Sequence, residues 1–454
     1  MSLEVNNPIL ALKAAGVKRS DVAESRWSGE SAEVVIAYGV GDGSLQVACD
    51  RLIWIAKDVA DACSALDRVT CTMDEIDILK TALWKCVGKK RSWMVLEGLD
   101  CTAVKAQVEE LITGIELTLA KAAYFGVQEL ENVLLNHGQG FDASALYGKY
   151  KGVPAVICGA GPSLSTSMDW LKEVDGRALI FAGGSALGAL IDAGVRPSFG
   201  LGCDPDPEHE QIQKGLGLGT PFFYTADFSA KLLSQVKGDK FWVRHTGALE
   251  MERWLWDKGD ALDIGWNAGT MATAIACEMG CNPIVFVGMD LAYGSLTKAA
   301  GIVDRSSVES MDAIDKHGAP VKTRRDLVMS QKWIQELIQK NRDRTWIDAT
   351  PQGLAIKGAI AQIPPFDQVF EMELEKIKIT KGNTLAIKES IASCADLIKK
   401  IEQDPLAQVL IETECFYRHL KALWDIFKNT LEDQSRLQEY VFYKRVMDGF
   451  KRLG

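Results

Sequence analysis

The stretch Lys151–Asp206, KGVPAVICGAGPSLSTSMDWLKEVDGRALIFAGGSALGALIDAGVRPSFGLGCDPD, limits the fold more than any other part of the chain. Three apolar runs, Ala155–Cys158, Ala178–Ala182 and Ser198–Cys203, are each short enough for a buried strand. The first two end in glycine turns that lead into helix-like segments, and the third runs to Asp204. A β-α-β-α-β unit of this kind sets its strands parallel. It brings Gly159–Leu164 and Asp204 to the carboxyl ends of those strands, the edge at which open α/β sheets bind ligands. The stretch reads as a nucleotide or phosphosugar site.

The loop Gly159-Ala-Gly161-Pro162-Ser163-Leu164 suits an anion. Two glycines let the backbone approach a ligand closely, and the following helix directs its free N–H groups and positive dipole end at the site. Ser163 is either the N-cap or a hydroxyl donor to phosphate; a plain strand-to-helix turn is the alternative. A dinucleotide site is disfavoured, because Leu164 stands where G-x-G-x-x-G needs its third glycine and the second strand ends without an acid. Gly183, Gly184 and Ser185 instead form a second anion-friendly helix start.

Asp204-Pro-Asp206 is a D-x-D element at a strand end, suited to a divalent ion bridging phosphates or to a ribose hydroxyl. Asp206 serves equally well as a surface turn. Asn267 and Thr270 open another helix beneath the same edge, where Asn267 either reads a base or sugar or caps the helix. Asp290, followed by Tyr293, ends the fully apolar strand Pro283–Gly288, and a carboxylate there needs a partner or a task. His209 and His245 lie just past strand ends, where an imidazole, with an ordinary pKa near neutrality, suits a general base; a non-catalytic histidine is the alternative for each.

The bulk properties narrow the class. A chain of 454 residues holds two or three domains. A net charge of −10 without a basic stripe argues against a nucleic-acid surface. Eleven cysteines with no CxxC pair read as small buried hydrophobes of a reducing compartment. The N-terminus lacks the basic start and apolar core of a signal peptide. The longest apolar run, Ala178–Ile191, carries three glycines and is too short for a membrane span. A soluble, cytoplasmic protein is expected.

Three domains follow from the pattern. Residues 1–146 form an N-terminal α/β layer, with strands at Glu33–Ala37, Arg51–Ala56 and Ser92–Leu96 and a helical connector over Thr102–His137. Its turn, Tyr38-Gly-Val-Gly-Asp-Gly-Ser44, resembles the S-adenosylmethionine turn of methyltransferases, although the layer is short for a complete methyltransferase sheet. The soft stretch Gly138–Lys151 separates it from a central domain at 147–367. That domain adds strands at Pro221–Tyr224, Phe241–Val243 and Thr345–Ile347 and helices at Thr270–Met279 and Asp326–Lys340. Between them Leu291–Arg325 reads as a polar, largely structureless lid whose Lys298, Arg305, Lys316, Lys322, Arg324 and Arg325 could close over phosphate. Residues 368–454 read as a C-terminal helical bundle.

Taken in order, GAGPSL, the strand-end Asp204, NAGTMATAIACEMGCNPIVFVGMDLAY and IDATPQGLAIKG resemble the Maf (motility-associated factor) flagellin glycosyltransferases. The archaeal 6-hydroxymethylpterin pyrophosphokinases share that core. The likeness covers roughly 147–358. It implies an α/β fold with a central Rossmann-like, sialyltransferase-like parallel sheet, flanked by the N-terminal layer and the helical bundle. It also implies a CMP-activated nonulosonic acid as donor and Ser/Thr hydroxyls of a protein such as flagellin as acceptor. By that analogy Gly159, Gly161, Ser163 and Leu164 line the nucleotide site, while Asp204 and Asp290 belong to the sugar or acceptor side. With His245 these two form the expected catalytic set. Where the family tends to have a glutamine before the second aspartate and a Thr-His pair after the tyrosine, this chain has Met289 and Thr297-Lys298. Such a transferase requires no metal in principle. A pyrophosphokinase in the same cleft would need Mg²⁺, held by Asp204 with Asp290 or Asp206. A binding module that kept the fold without the chemistry is the non-enzyme alternative.

Overall fold

The computed structural model describes residues 32–39, 49–57, 63–64, 68–84, 91–95, 100–205, 215–247, 260–293, 310–361 and 366, with isolated positions between 392 and 400. The glycine-rich turn beyond Gly39, Asp206, His209 and nearly all of the expected C-terminal bundle lie outside the described residues. The chain divides into two compact units, Met1–Ala120 and Lys121–Gly454.

The first unit holds strands β1 (Ala32–Gly39), β2 (Cys49–Ala56), β3 (Cys63–Ser64), β4 (Arg68–Thr72) and β5 (Arg91–Val95), with helix α1 at Ile76–Trp84. The sheet order is β3-β4-β2-β1-β5, parallel except for the β3–β4 pair. Val34, Ile36, Ile53 and Ile55 project from one face of the sheet onto α1 and the start of α2 (Thr102–Asn136), where Val108, Ile112 and Ile115 meet them. The α2 segment is one unbroken helix that begins in the first unit and ends in the second. The division therefore falls inside α2, earlier than the soft stretch at 138–151 suggests. That stretch is built into the second unit: Phe141–Asp142 is strand β6, Ala143–Leu146 is a 3₁₀ turn, and Leu146 and Tyr150 are core residues.

The second unit is built on an eight-stranded, all-parallel sheet. From β6 the chain runs through β7 (Ala155–Cys158), a 3₁₀ turn into α3 (Met168–Glu173), β8 (Leu179–Gly183), α4 (Ser185–Asp192) and β9 (Phe199–Gly202). There follow β10 (Phe222–Tyr224), α5 (Ala230–Leu233), β11 (Lys240–Trp242), α6 (Ala268–Glu278) and β12 (Ile284–Val287). Last come the hairpin β13–β14 (Met311–Ile314 and Pro320–Thr323), α7 (Arg325–Lys340) and β15 (Trp346–Asp348). The sheet order is β15-β12-β7-β8-β9-β10-β11-β6.

Both faces of this sheet are covered, as parallel sheets require. Ala155 and Ile157 of β7 and Leu179 and Phe181 of β8 face α6 and α7 with Met271, Ile275 and Ile334. Val156 and Cys158, with Ile180 and Ala182, face α3 and α4 with Leu171, Leu187 and Leu190. The two-residue alternation of side chains decides which residue meets which layer. From β7 the chain winds through β8 to β11 on one side, then crosses to β12 and β15 on the other. The switch point lies between β7 and β12.

The expected structureless lid is corrected in part. Residues 311–323 form an antiparallel hairpin, and Leu291–Tyr293 is tied to it: the Thr323 hydroxyl donates to the Leu291 carbonyl (2.7 Å) and the Tyr293 N–H to the Lys322 carbonyl (2.7 Å). The cations expected to meet phosphate have partners within the chain. Lys316 binds Asp348 (2.6 Å) and the Thr350 carbonyl (2.7 Å), Lys322 pairs with Asp312, and Arg324 pairs with Asp326 and lies over the Tyr293 ring. Lys298 and Arg305 lie outside the described residues.

Candidate functional site

At the switch point the loops after β7 and β12 are pressed together. Gly159 N–H donates to the Val287 carbonyl (2.9 Å) and Gly161 N–H to the Gly288 carbonyl (2.8 Å). A Cβ on Gly161 would overlap Oδ2 of Asp290 and stand 2.6 Å from the Gly288 oxygen, so only glycine fits there. Asp290 is 1% exposed. Its Oδ2 accepts the Ser163 hydroxyl (2.7 Å) and, at 3.3 Å, the Ser163 N–H; its Oδ1 has no hydrogen-bond partner among the described residues. Burial pushes the Asp290 carboxyl above the usual range, against the bonds from Ser163 and Gln352, which favour the ionised form. Around it, Leu291 sits at φ 52° and Gly353 at φ +88°, its Cα facing the Asp290 backbone too closely for any Cβ.

This arrangement corrects the open phosphate cradle. The N–H groups of Gly159, Gly161, Ser163 and Leu164 are all bonded inside the fold, the last to the Gly161 carbonyl. Ser163 is neither an N-cap nor a free donor. The Leu164 side chain is in the core between the sheet and α3 and does not line a surface, because Gly288 makes room for it there. Pro162 opens the 3₁₀ turn, where its missing N–H is no loss.

The second helix start keeps its anion-friendly geometry. Gly184 takes φ 56° and no side chain caps α4, which starts at the carboxyl end of β8; the Leu187 N–H is bonded to the Gly184 carbonyl (3.3 Å). Gly183 lies against Ala268, where a Cβ would come within 2.7 Å, and this brings the first turn of α6 beside the first turn of α4. Asn267 and Thr270 serve that helix. Asn267 accepts from Gly269 and Thr270 N–H (2.9 and 3.1 Å) while its amide donates to Ser330 (2.7 Å), and Thr270 closes the reciprocal bond to the Asn267 N–H. Both side chains are engaged in a capping box, so of the two roles expected for Asn267 the structure shows the cap.

The three residues expected to be catalytic do not converge. Asp290 follows β12, Asp204 follows β9 and His245 follows β11. At about 4.8 Å per strand spacing, Asp204 stands roughly 14 Å and His245 roughly 24 Å along the edge from Asp290. Two carboxylates sharing one Mg²⁺ must both approach within about 2.1 Å of it. Asp204 and Asp290 therefore do not fit a single ion, and no group of three or more His, Cys, Asp or Glu suited to a metal occurs among the described residues.

Around β9–β11 lies a second, charged cluster that the sequence reading missed. Asp227, 4% exposed, follows β10 and binds Lys121 of α2 (2.9 Å), which also meets Glu129 (3.0 Å). Burial alone would raise the Asp227 carboxyl, but Lys121 and then His245 outweigh it and hold it below the usual range. One turn apart on α2, Asn132 donates to the carbonyls of Pro205 and Asp227, and Asn136 to those of Ala226 and Phe228. Asn132 also accepts the Ala230 N–H. Asp204, exposed, and Cys203 border the cluster; the Cys203 thiol is pushed up to about 12, first by burial and then by Asp204. A signal was present in the sequence: Asp227, like Asp204 and Asp290, lies within three residues of a strand end.

Comparison with known proteins agrees with this architecture. Residues 131–295 match the family model described as 6-hydroxymethylpterin diphosphokinase MptE-like. The matched segment includes Asn132, Asn136, Asp227 and Asp290 and leaves out Lys121 and Glu129. No curated protein sequence matches the chain. Among solved structures, the Maf glycosyltransferase from Magnetospirillum magneticum AMB-1 is similar over 94% of this chain and 78% of its own, with a TM-score of 0.54 and 13% identity. No helix among the described residues is long and apolar enough to cross a membrane. The chain thus has the mixed α/β, parallel-sheet fold of the Maf glycosyltransferase, with an MptE-like segment from 131 to 295.

Proposed function

We propose that the protein is a glycosyltransferase that moves a nonulosonic sugar from a CMP-activated donor to Ser/Thr hydroxyls of a protein acceptor of the flagellin type. The observation that carries this reading is the uncapped start of α4 at Gly184–Ser185, one strand from the switch point in a fold shared with a Maf glycosyltransferase. A phosphate monoester placed there meets N–H donors and a positive helix end, the stabilisation a departing CMP needs. The closed loop at Gly159–Leu164 is the wall behind that position, and Asp204 lies on the side toward the sugar. The chemistry needs an acceptor base and a stabilised leaving phosphate, with no metal required.

The description of the matching family favours a second reading, an Mg²⁺-dependent diphosphokinase acting on a pterin-like alcohol. Titration calorimetry separates the two. CMP binding in metal-free buffer supports the transferase. ATP binding that needs Mg²⁺, with no response to CMP, overturns it in favour of the kinase. Binding of neither nucleotide leaves the non-catalytic module as the surviving alternative.

A further inference from the structure

We infer that Trp266, which precedes the cap of α6, is the platform on which the nucleobase of the donor stacks when its phosphate meets the start of α4. The assignment rests on the glycosyltransferase reading for where the phosphate sits, whereas the stacking can be tested with any nucleotide the protein binds.

The start of α6 lies across the carboxyl edge. Ala268 is against Gly183 at the end of β8, where a Cβ on the glycine would come to 2.7 Å from the alanine Cβ. Gly269 is against Met289 after β12, where a Cβ would meet the methionine Cε at 2.7 Å. The first turn of α6 thus reaches from β8 to β12 over the switch point, and Trp266 is two residues upstream of the contact with β8. Two residues of chain span at most about 7 Å, so Trp266 stands close to Gly184 and Ser185, where α4 begins. Asp204 follows β9, which flanks β8 on the side away from β12. A donor with its phosphate at α4 and its sugar toward Asp204 therefore carries its nucleoside toward Trp266.

The turn that carries Trp266 is fixed. Gly265 N–H donates to Asp263 Oδ1 (3.1 Å), and Trp266 N–H donates to Thr270 Oγ1 (2.8 Å), inside the capping box of α6. Gly265 takes φ 66°, and a Cβ there would come to 2.8 Å from the Trp333 ring, so Trp333 fills the space on the α7 side. The other apolar residues of this turn are in use: Ile264 is in the core, and Leu262 packs against it, as Trp333 does. Trp266 belongs to neither hydrophobic cluster of the second unit and is only partly buried. Tryptophan ordinarily contributes through the large area it buries. Partly exposed on a fixed turn beside a phosphate-friendly helix start, it offers a flat π-face at low cost in conformational entropy.

Stacking accepts any base, because every base has a π-face. The polar side chains that follow Trp266 are spent within the fold: Asn267 on the N–H groups of Gly269 and Thr270 and on Ser330, and the Thr270 hydroxyl on the N–H groups of Trp266 and Asn267. Trp266 therefore favours a nucleotide over a bare phosphorylated sugar and does not itself select cytosine.

The test is titration calorimetry on the full-length protein with CMP and, separately, with ribose 5-phosphate. Trp266→Ala should weaken CMP binding about 5- to 150-fold, the range for loss of one base–aromatic stack, and leave ribose 5-phosphate binding unchanged. Trp266→Phe keeps a ring and should bind CMP within about fivefold of wild type. Unaltered CMP affinity in Trp266→Ala overturns the inference. An equal loss for both ligands also overturns it, because that pattern marks a displaced helix start and not a lost stack. Tryptophan emission is a second readout, independent of how tightly ribose 5-phosphate binds. Saturating CMP should quench it in the wild-type protein, and the quench should shrink in Trp266→Phe although CMP is still bound; an unchanged quench overturns the inference. If the wild-type protein ignores CMP and binds ATP with Mg²⁺, the glycosyltransferase reading fails. The platform is then decided by the same two variants with ATP, where Trp266→Ala should weaken binding and Trp266→Phe should largely keep it, and equal affinities in wild type and Trp266→Ala overturn it. Binding of neither nucleotide overturns the platform together with the reading.

Discussion

Two buried aspartates stand at the same sheet edge and behave in opposite ways. Asp290 at the switch point is held by a hydroxyl and an amide, has no cation beside it in the described structure, and is pushed toward its neutral form. Asp227, two strands past β8, is as buried but is paired with Lys121, and its carboxyl is held below the usual range. The difference shows what builds each region. Backbone crowding makes the first: Gly159, Gly161, Gly288 and Gly353 let two loops touch and leave a carboxylate enclosed between them. Charge and amide donors make the second, and they arrive on α2 from roughly a hundred residues upstream, at Lys121, Asn132 and Asn136.

The largest effect expected from breaking this contrast is at Gly161. Gly161→Ala places a methyl group on Oδ2 of Asp290 and against the Gly288 carbonyl, which overpacking alone makes worth more than about 3 kcal/mol. Urea denaturation should show a protein that is unfolded or only marginally folded. Adding Asp290→Ala should restore part of the loss, since it removes one of the two clashes. A Gly161→Ala protein of wild-type stability would mean that the two loops are not in contact.

Asp227→Asn comes next. Breaking the Lys121 pair should cost about 2 kcal/mol at pH 7, below the 3–5 typical of fully buried pairs because the Lys121 side chain keeps 45% of its exposure. A carboxyl whose folded pKa is lowered contributes stability above its unfolded pKa and loses it as pH falls. The gap between variant and wild type should therefore close as denaturation is repeated toward acid pH.

Asn132→Ala should cost about 2 kcal/mol by thermal melting, because the buried carbonyls of Pro205 and Asp227 lose a donor they share. Asp290→Asn should show the reverse pH signature to Asp227→Asn. A carboxyl whose folded pKa is raised contributes its stability below the unfolded pKa and loses it as pH rises through the folded value. Asparagine keeps an acceptor for Ser163 and carries no charge, so the variant should melt higher than wild type at pH 7 and at the same temperature near pH 3. Equal melting at both values would contradict the account of Asp290. Gly184→Ala meets no atom within 4 Å of the new Cβ, so only its backbone, φ 56° with ψ −135°, is strained, which should cost about 1–3 kcal/mol by thermal melting. CMP affinity, read by calorimetry, should fall at least tenfold in this variant if α4 receives the phosphate.

Much of the second unit was legible. The apolar runs gave β7, β8, β9 and β12 within one or two residues, because a buried parallel strand is a short continuous hydrophobic run whatever its partners. The hairpin β13–β14 was not, since its strands MDAI and PVKT are polar and mostly exposed and carry no such run. The site was legible by position more than by role. Gly161 and Asp290 were both singled out, yet nothing in GAGPSL distinguishes a loop that cradles a phosphate from one that docks on a second loop.

The sequence by itself determined the parallel α/β layering of the second unit and which loops reach its carboxyl edge, because hydrophobic period and glycine turns are local properties. Only the tertiary structure decided strand order. Strand order put Asp290 some five spacings from His245, bonded the N–H groups of Gly159–Leu164 inward, and set Asp227 beside Lys121. Those are distances between segments far apart in the chain, and pairing across a sheet fixes them where no local pattern can.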